Sequence, residues 1–265
     1  MSGVETVHWN PLRPVFQGPI GSRLPIQRRV NNFGDLLGPL IVERMLAERS
    51  VDGSSATRHV RLLTVGSVLH LARDNDTVWG SGVNGKELNR FTARHLDVRA
   101  VRGPLTKNYL ESRGISTPDV FGDPGLLVGE LWPRESLFSG RPHGTTIVMN
   151  LNDRVTGRDS RYLNPRRPVS HCLSKIAESA FVTGTSLHAI VVAESFGIPA
   201  RLLRSGTEPD FKYRDYYLGT GRTDFTPART VEEALALGGE TPPTCDTAAL
   251  RHAFPVDLWT SQRHH

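Results

Sequence analysis

The chain has 265 residues, of which 22% are charged and 38% hydrophobic, with a formal net charge of +5. These values exclude a disordered chain and leave room for one large or two small globular domains with a substantial core. The mild basic balance suits an anionic small molecule, a membrane surface or nucleic acid, but the scattered Lys and Arg residues, never interleaved with aromatics, argue against nucleic acid.

In chain order, the N-terminus lacks the charged segment and apolar core of a secretion signal. Asp35 opens a helix that places Leu36, Leu37, Leu40, Ile41 and Met45 on an apolar face. Arg61 to Val65 and Thr77 to Trp79 read as strands, the second ending in the turn Gly80-Ser81-Gly82. Asp97 to Val101 is a third strand, followed by a helix with Pro104 at its first position. Asp119 to Phe121 is a fourth, closing at Gly122-Asp123-Pro124. Prolines, glycines and polar residues interrupt the pattern from Trp132 to Gly144. Thr145 to Leu151 then reads as a strand, Val169 to Ser179 as a helix and Ala180 to Val182 as a strand. A turn at Thr183 to Ser186 leads into a helix stopped by Gly197-Ile198-Pro199, and Ala200 to Leu203 is a last strand. Phe254, Val256, Leu258 and Trp259 form an apolar surface that packs back on the body or on a neighbouring chain, which leaves a homo-oligomer open. No apolar run approaches the ~18 residues of a membrane span. Cys172 and Cys245 show neither ligand spacing nor a disulfide framework, so reduced thiols and a cytoplasmic location are expected, with peripheral contact at the inner face of a membrane left open.

Alternation of this kind predicts an α/β protein with mainly parallel sheets: two Rossmann-like domains facing a cleft, residues 1–137 and 138–265, the second small. Ligands of such sheets bind beyond the carboxyl ends of the strands. His188 falls there, in the first turn of a helix, where unpaired backbone N–H groups favour anions and an imidazole is placed for proton transfer. Four turns stand at equivalent places: Asn31 to Asp35, Gly80 to Gly85, Val101 to Pro104 and Gly122 to Pro124. Each alone reads as punctuation, with Asp35 or Asp123 as a helix cap. Together, on one side of a sheet, they describe a cleft. The glycines of Gly80 to Gly85 do not form a dinucleotide fingerprint, and there is no phosphate loop, HExxH pair, Cys/His metal spacing or G-x-S-x-G elbow. His70, His95, His143, His171 and His252 stand alone and read as structural or solvated.

The series Asn-Phe-Gly-Asp at 32–35, Gly-Ser-Gly-Val-Asn-Gly at 80–85, Val-Arg-Gly-Pro-Leu-Thr at 101–106, Gly-Asp-Pro at 122–124 and Ser-Leu-His-Ala at 186–189 resembles the polysaccharide pyruvyl transferases. The resemblance runs from about residue 31 to residue 222, through the late stretch Phe211 to Tyr217. It implies a GT-B-like fold, phosphoenolpyruvate as donor, no cofactor and no metal, and transfer to a hexose of a cell-surface polysaccharide or its lipid-linked or nucleotide-linked precursor as a ketal. The acceptor would enter from the first domain and the donor would sit against the second. His188 is carried over as general acid or phosphate ligand, within a donor-binding segment that includes Ser186 and Leu187. Some branches of the family have Arg where this chain has Ser186. Replacement cations are expected from Arg102, Arg154, Lys212 or Arg214. Asp35 is a candidate base or ligand of the acceptor hydroxyl, with Asn84 and Gly34 as substrate contacts. Two other readings stay open: a GT-B glycosyltransferase using a nucleotide sugar, and a non-catalytic protein that binds an anionic metabolite.

Overall fold

The structure is a computed structural model that describes residues 3–15, 26–55, 59–86, 88–153 and 159–260. It is a mixed α/β fold with parallel sheets. The first sheet has the order β1 (Gly3–Val7), β4 (His59–Leu63), β5 (Asp76–Trp79), β6 (Leu96–Ala100), all parallel. The second is β7 (His143–Ile147), β8 (Ser179–Gly184), β9 (Ala200–Leu202), again parallel. An antiparallel hairpin, β2 (Leu12–Pro14) with β3 (Gln27–Arg29), stands apart from both. The helices that follow are α1 (Phe33–Glu48), α2 (Pro104–Glu111), α3 (Val128–Leu131), α4 (Arg134–Leu137), α5 (Val169–Glu178), α6 (Leu187–Ser195), α7 (Phe211–Gly219), α8 (Val231–Leu237) and α9 (Thr247–His252).

The alternation read from the sequence is reproduced, with differences that have physical reasons. Asp119 to Phe121 forms only an isolated bridge between Val101 and Phe121, and Thr145 to Leu151 leaves the ladder after Ile147. Beyond Ile147 the chain turns, so that Val148 carbonyl accepts from Ser186 N at 3.1 Å. The α1 core face is Phe33, Leu37, Ile41, Val42, Met45 and Leu46, while Leu40 lies on the solvent side at 37% exposure. Spacing alone did not separate Leu36 and Leu40 from the true i, i+4 stripe. The α6 helix is buried on nearly every side, from Leu187 through Ala189 to Ala193, because it packs between β8, β9 and the short helical turn at Pro124–Leu127. Gly197, at φ +68°, supplies the left-handed residue that ends it.

One apolar cluster runs through both sheets, joining Leu37, Ile41 and Met45 of α1 to Ile190 and Val191 of α6. The C-terminal segment packs back on the body: Trp79 Nε1 donates to Leu250 carbonyl at 2.8 Å, and the Trp79 and Phe254 rings meet edge-on at 5.0 Å. Both cysteines are free, and burial pushes the Cys172 thiol up to about 11, so it is unreactive at neutral pH.

Candidate active site

The carboxyl ends of both sheets open onto one cavity of about 440 Å³, within the ~300–1,000 Å³ range of small-molecule sites. Its walls follow the strand ends. Trp9 comes after β1, Ser67, Val68 and His70 after β4, and Asn84, Lys86 and Arg90 after β5. Asn150, Leu151 and Asn152 follow β7, Ser186 to His188 follow β8, and Glu208 and Lys212 follow β9. Asn32 and Asp35 enter from the start of α1, and Arg13 from β2. No single sheet could assemble this set.

His188 sits where the first turn of α6 meets the first turn of α1. A Cβ on Gly34 would lie 2.6 Å from His188 Cβ and closer still to Nδ1, so only glycine lets the ring lie against α1. The Nε2 atom is buried and has no hydrogen-bond partner. A Cβ on Gly66, a glycine at φ +100°, would stand 3.6 Å from Asp35 Oδ1 and 3.7 Å from His188 Nε2. The carboxylate and the imidazole therefore face the same small space. Burial first, then the positive charges of Lys212 and Arg102, push the imidazole down to about 3, so it is neutral at pH 7 when the cavity holds only solvent. Burial likewise pushes Asp35 up to about 6, opposed by the Asn32 amide, which donates to Oδ2 at 2.6 Å, and by Lys212.

The cations are arranged around an acid. Glu208 Oε2 is 2.9 Å from Lys212 Nζ, and Oε1 is 2.6 Å from Lys86 Nζ. Burial raises the Glu208 pKa, but the two lysines outweigh burial and hold it below the usual carboxylate range. Lys212 is pushed down by burial and by Arg102 and Lys86, with Glu208 opposing. An anion arriving here meets two ammonium groups that already share one carboxylate.

The sequence pattern of the polysaccharide pyruvyl transferase family matches residues 56–206. The chain belongs to the polysaccharide pyruvyl transferase family. Among curated proteins, this family member is 27% identical over 192 residues to the succinoglycan biosynthesis protein ExoV of Rhizobium meliloti (strain 1021), which covers 67% of this chain. The chain spans 60% of that relative's length. Among solved structures, KP1_0663 from Klebsiella pneumoniae subsp. pneumoniae NTUH-K2044 superposes with a TM-score of 0.45 at 11% identity, covering 82% of this chain and 87% of that one.

In this family member, six of the residues singled out from the sequence share the cavity wall: Asp35, Asn84, Ser186, Leu187, His188 and Lys212. Gly34 lies behind His188 and shapes the site without lining it. Arg102, expected among the donor's cations, does not line the cavity. It is fully buried, and its guanidinium is held by Asp215, with Nε to Oδ2 at 3.0 Å, by Ser67 Oγ at 2.6 Å and by Val83 carbonyl at 2.6 Å. Its charge reaches the site through space, while each of its three nitrogens already donates within the protein. Arg214 is exposed on α7 and does not line the cavity, because the inward positions of that helix are Lys212, Tyr213, Asp215, Tyr216 and Tyr217. Arg154 lies outside the described residues. Asp123 is the cap expected of it, accepting from Gly125 N at 2.9 Å beneath the site. Sequence reading missed Trp9, Arg13, Gly66, Lys86, Asn150, Asn152 and Glu208. The Val65-Gly66-Ser67 turn, just past a predicted strand, carried a signal that could have found Gly66, and Lys86 directly follows the Gly80 to Gly85 turn.

Proposed function

We propose that the chain transfers pyruvate from phosphoenolpyruvate to a hexose of a cell-surface polysaccharide precursor, forming a ketal. In this reading the sheets belong to two Rossmann-like halves in a GT-B-like arrangement, residues 1–137 on the acceptor side and 138–265 on the donor side. The observation that carries it is the unpartnered Nε2 of His188, facing Asp35 across the space left by Gly66, with Lys212 beside it.

The donor's phosphate and carboxylate take Lys212 and Lys86, aided by the N-terminus of α6. That negative charge offsets the burial and the two cations that keep His188 neutral, and the imidazole gains a proton. Nε2 gives the proton to the methylene carbon, which becomes a methyl group, and C2 becomes an oxocarbenium centre. A hexose hydroxyl attacks C2 and loses its proton to the Asp35 carboxylate. The bond from C2 to the phosphate oxygen then breaks with its electrons on phosphate. A second hydroxyl of the same sugar attacks C2, its proton goes to the now neutral His188, and the ketal closes. Incubation with phosphoenolpyruvate and a polyprenyl diphosphate-linked glycan should release inorganic phosphate and give a ketal methyl signal by NMR. Phosphate release with free pyruvate alone would refute the transfer.

A further inference from the structure

The β2–β3 hairpin is exposed at every described strand position and carries an arrangement the site chemistry does not use. Arg13 is directly opposite Arg28, and Leu12 is opposite Arg29. Like charges facing each other across a ladder destabilise it unless an anion is supplied. Among the described residues no acid pairs with Arg13 or Arg28. In the sequence, the stretch from Thr6 to Gly34 contains four arginines and no Asp or Glu. At the far end of the ladder, Val15 N donates to Ile26 carbonyl at 3.1 Å, and these two side chains are 46% and 54% exposed. With Leu12 at 54%, the hairpin holds three of the six large apolar side chains exposed among the described residues.

We propose that this hairpin docks on an anionic lipid bilayer. Residues two apart on a strand share a face, so Val15 and Ile26 lie on the same face of the ladder as Arg13 and Arg28, and apolar and cationic groups meet a bilayer interface together. Arg13 and Arg28 then lie at the level of lipid phosphates, where their like-charge pairing is relieved. A second copy of the chain is a poor occupant, because it would bring the same arginines against these. Arg13 also lines the cavity and stacks its guanidinium 5.7 Å from the Trp9 ring centre. The acceptor end of the cavity thus opens beside the docking surface, which selects a lipid-linked acceptor over a nucleotide-linked one. That last step rests on the pyruvyl-transfer reading; the docking does not.

Flotation of the whole protein with phosphatidylcholine vesicles, alone or mixed in equal parts with phosphatidylglycerol, tests the proposal. Wild type should float with the mixed vesicles and not with the neutral ones, and added salt should release it. The Val15→Ser/Ile26→Ser double variant should partition ~tenfold more weakly, and Arg28→Glu should abolish flotation, both with unchanged phosphoenolpyruvate binding. Wild type that stays unbound, binds neutral vesicles equally, or floats no better than the double variant would overturn it. Flotation by a protein that does not bind phosphoenolpyruvate would leave the docking in place and remove the pyruvyl-transfer reading.

Discussion

The backbone of Gly34 lies against the ring of His188, too close for any side chain at position 34. Ala is ordinarily the better helix residue by ~1 kcal/mol, so Gly34→Ala would stabilise α1 were His188 not there. Here it must push the imidazole away from Asp35. The expected result is a folded protein with kcat/KM lowered ~100-fold, the cost of a displacement on the order of 1 Å. Unaltered kinetics would mean that the ring position is not set by α1.

In the proposed reaction Asp35 gives the pH dependence its acid limb. Its pKa lies at about 6 against an ordinary value of 3.8, so the carboxylate that accepts the hydroxyl proton is lost below about pH 6. The profile of kcat/KM should fall tenfold per unit on that side. Asp35→Asn should remove the limb together with most of the activity, ~10²–10⁴-fold. Stability moves the other way. A carboxyl raised in the folded state contributes stability that is complete below its unfolded pKa and lost as pH rises through about 6. Thermal melts of Asp35→Asn between pH 4 and 8 should therefore decline less than wild type. Little decline should persist in the variant, because Asp123, also raised to about 6 by burial, is opposed in the same window by His188, whose depressed pKa makes stability rise with pH.

In the proposed donor site, Glu208 would compete with phosphoenolpyruvate for Lys86 and Lys212, which it already contacts. Glu208→Gln removes that competitor and should tighten phosphoenolpyruvate binding several-fold, on the order of 1 kcal/mol. Lys212→Met should weaken it by ~100-fold through loss of a charge-assisted contact. Titration of both variants by calorimetry separates them; a Glu208→Gln protein that binds more weakly would mean that the acid positions the lysines.

Arg102 and Asp215 form a buried pair, with Nη2 at 2.9 Å from Oδ2, joining the start of α2 to α7. Thr106 N and Oγ1 donate to the same carboxylate at 2.9 and 2.6 Å, so every group in the network is satisfied. Removing one partner strands the other charge, and Arg102→Ala or Asp215→Ala should each cost ~3–5 kcal/mol in urea denaturation. The double variant should cost less than the sum, since the two act as one unit. Additive losses would refute the coupling.

The extent to which this site was legible in the sequence depends on how local its parts are. His188, Asp35 and Asn84 stand in turns that a strand–helix alternation marks, so their placement follows from short-range pattern. Lys86 and Glu208 are 122 residues apart and meet only because both sheets turn their carboxyl ends to one cavity. The same tertiary closeness keeps Arg102 out of the cavity wall. In a linear reading it is a cation after a strand, but Gly82 and Gly103 leave room for it and for Asp215 to pack inward. β1 is short and mixed in polarity, GVETV, and only its pairing with β4 makes it a strand. The hairpin is exposed on both faces, so it has no hydrophobic alternation to read.

The central claim is that donor binding protonates His188. Calorimetric titration with phosphoenolpyruvate at pH 8, repeated in two buffers of different ionisation enthalpy, tests it most directly. At that pH the donor's phosphate, with a last pKa of about 6, has already lost its proton, so any proton taken up comes from solvent. The account predicts binding with uptake approaching one proton in the wild type, and loss of that uptake with much weaker binding in His188→Ala. Equal binding and equal uptake in the two proteins, or no binding in either, would contradict it.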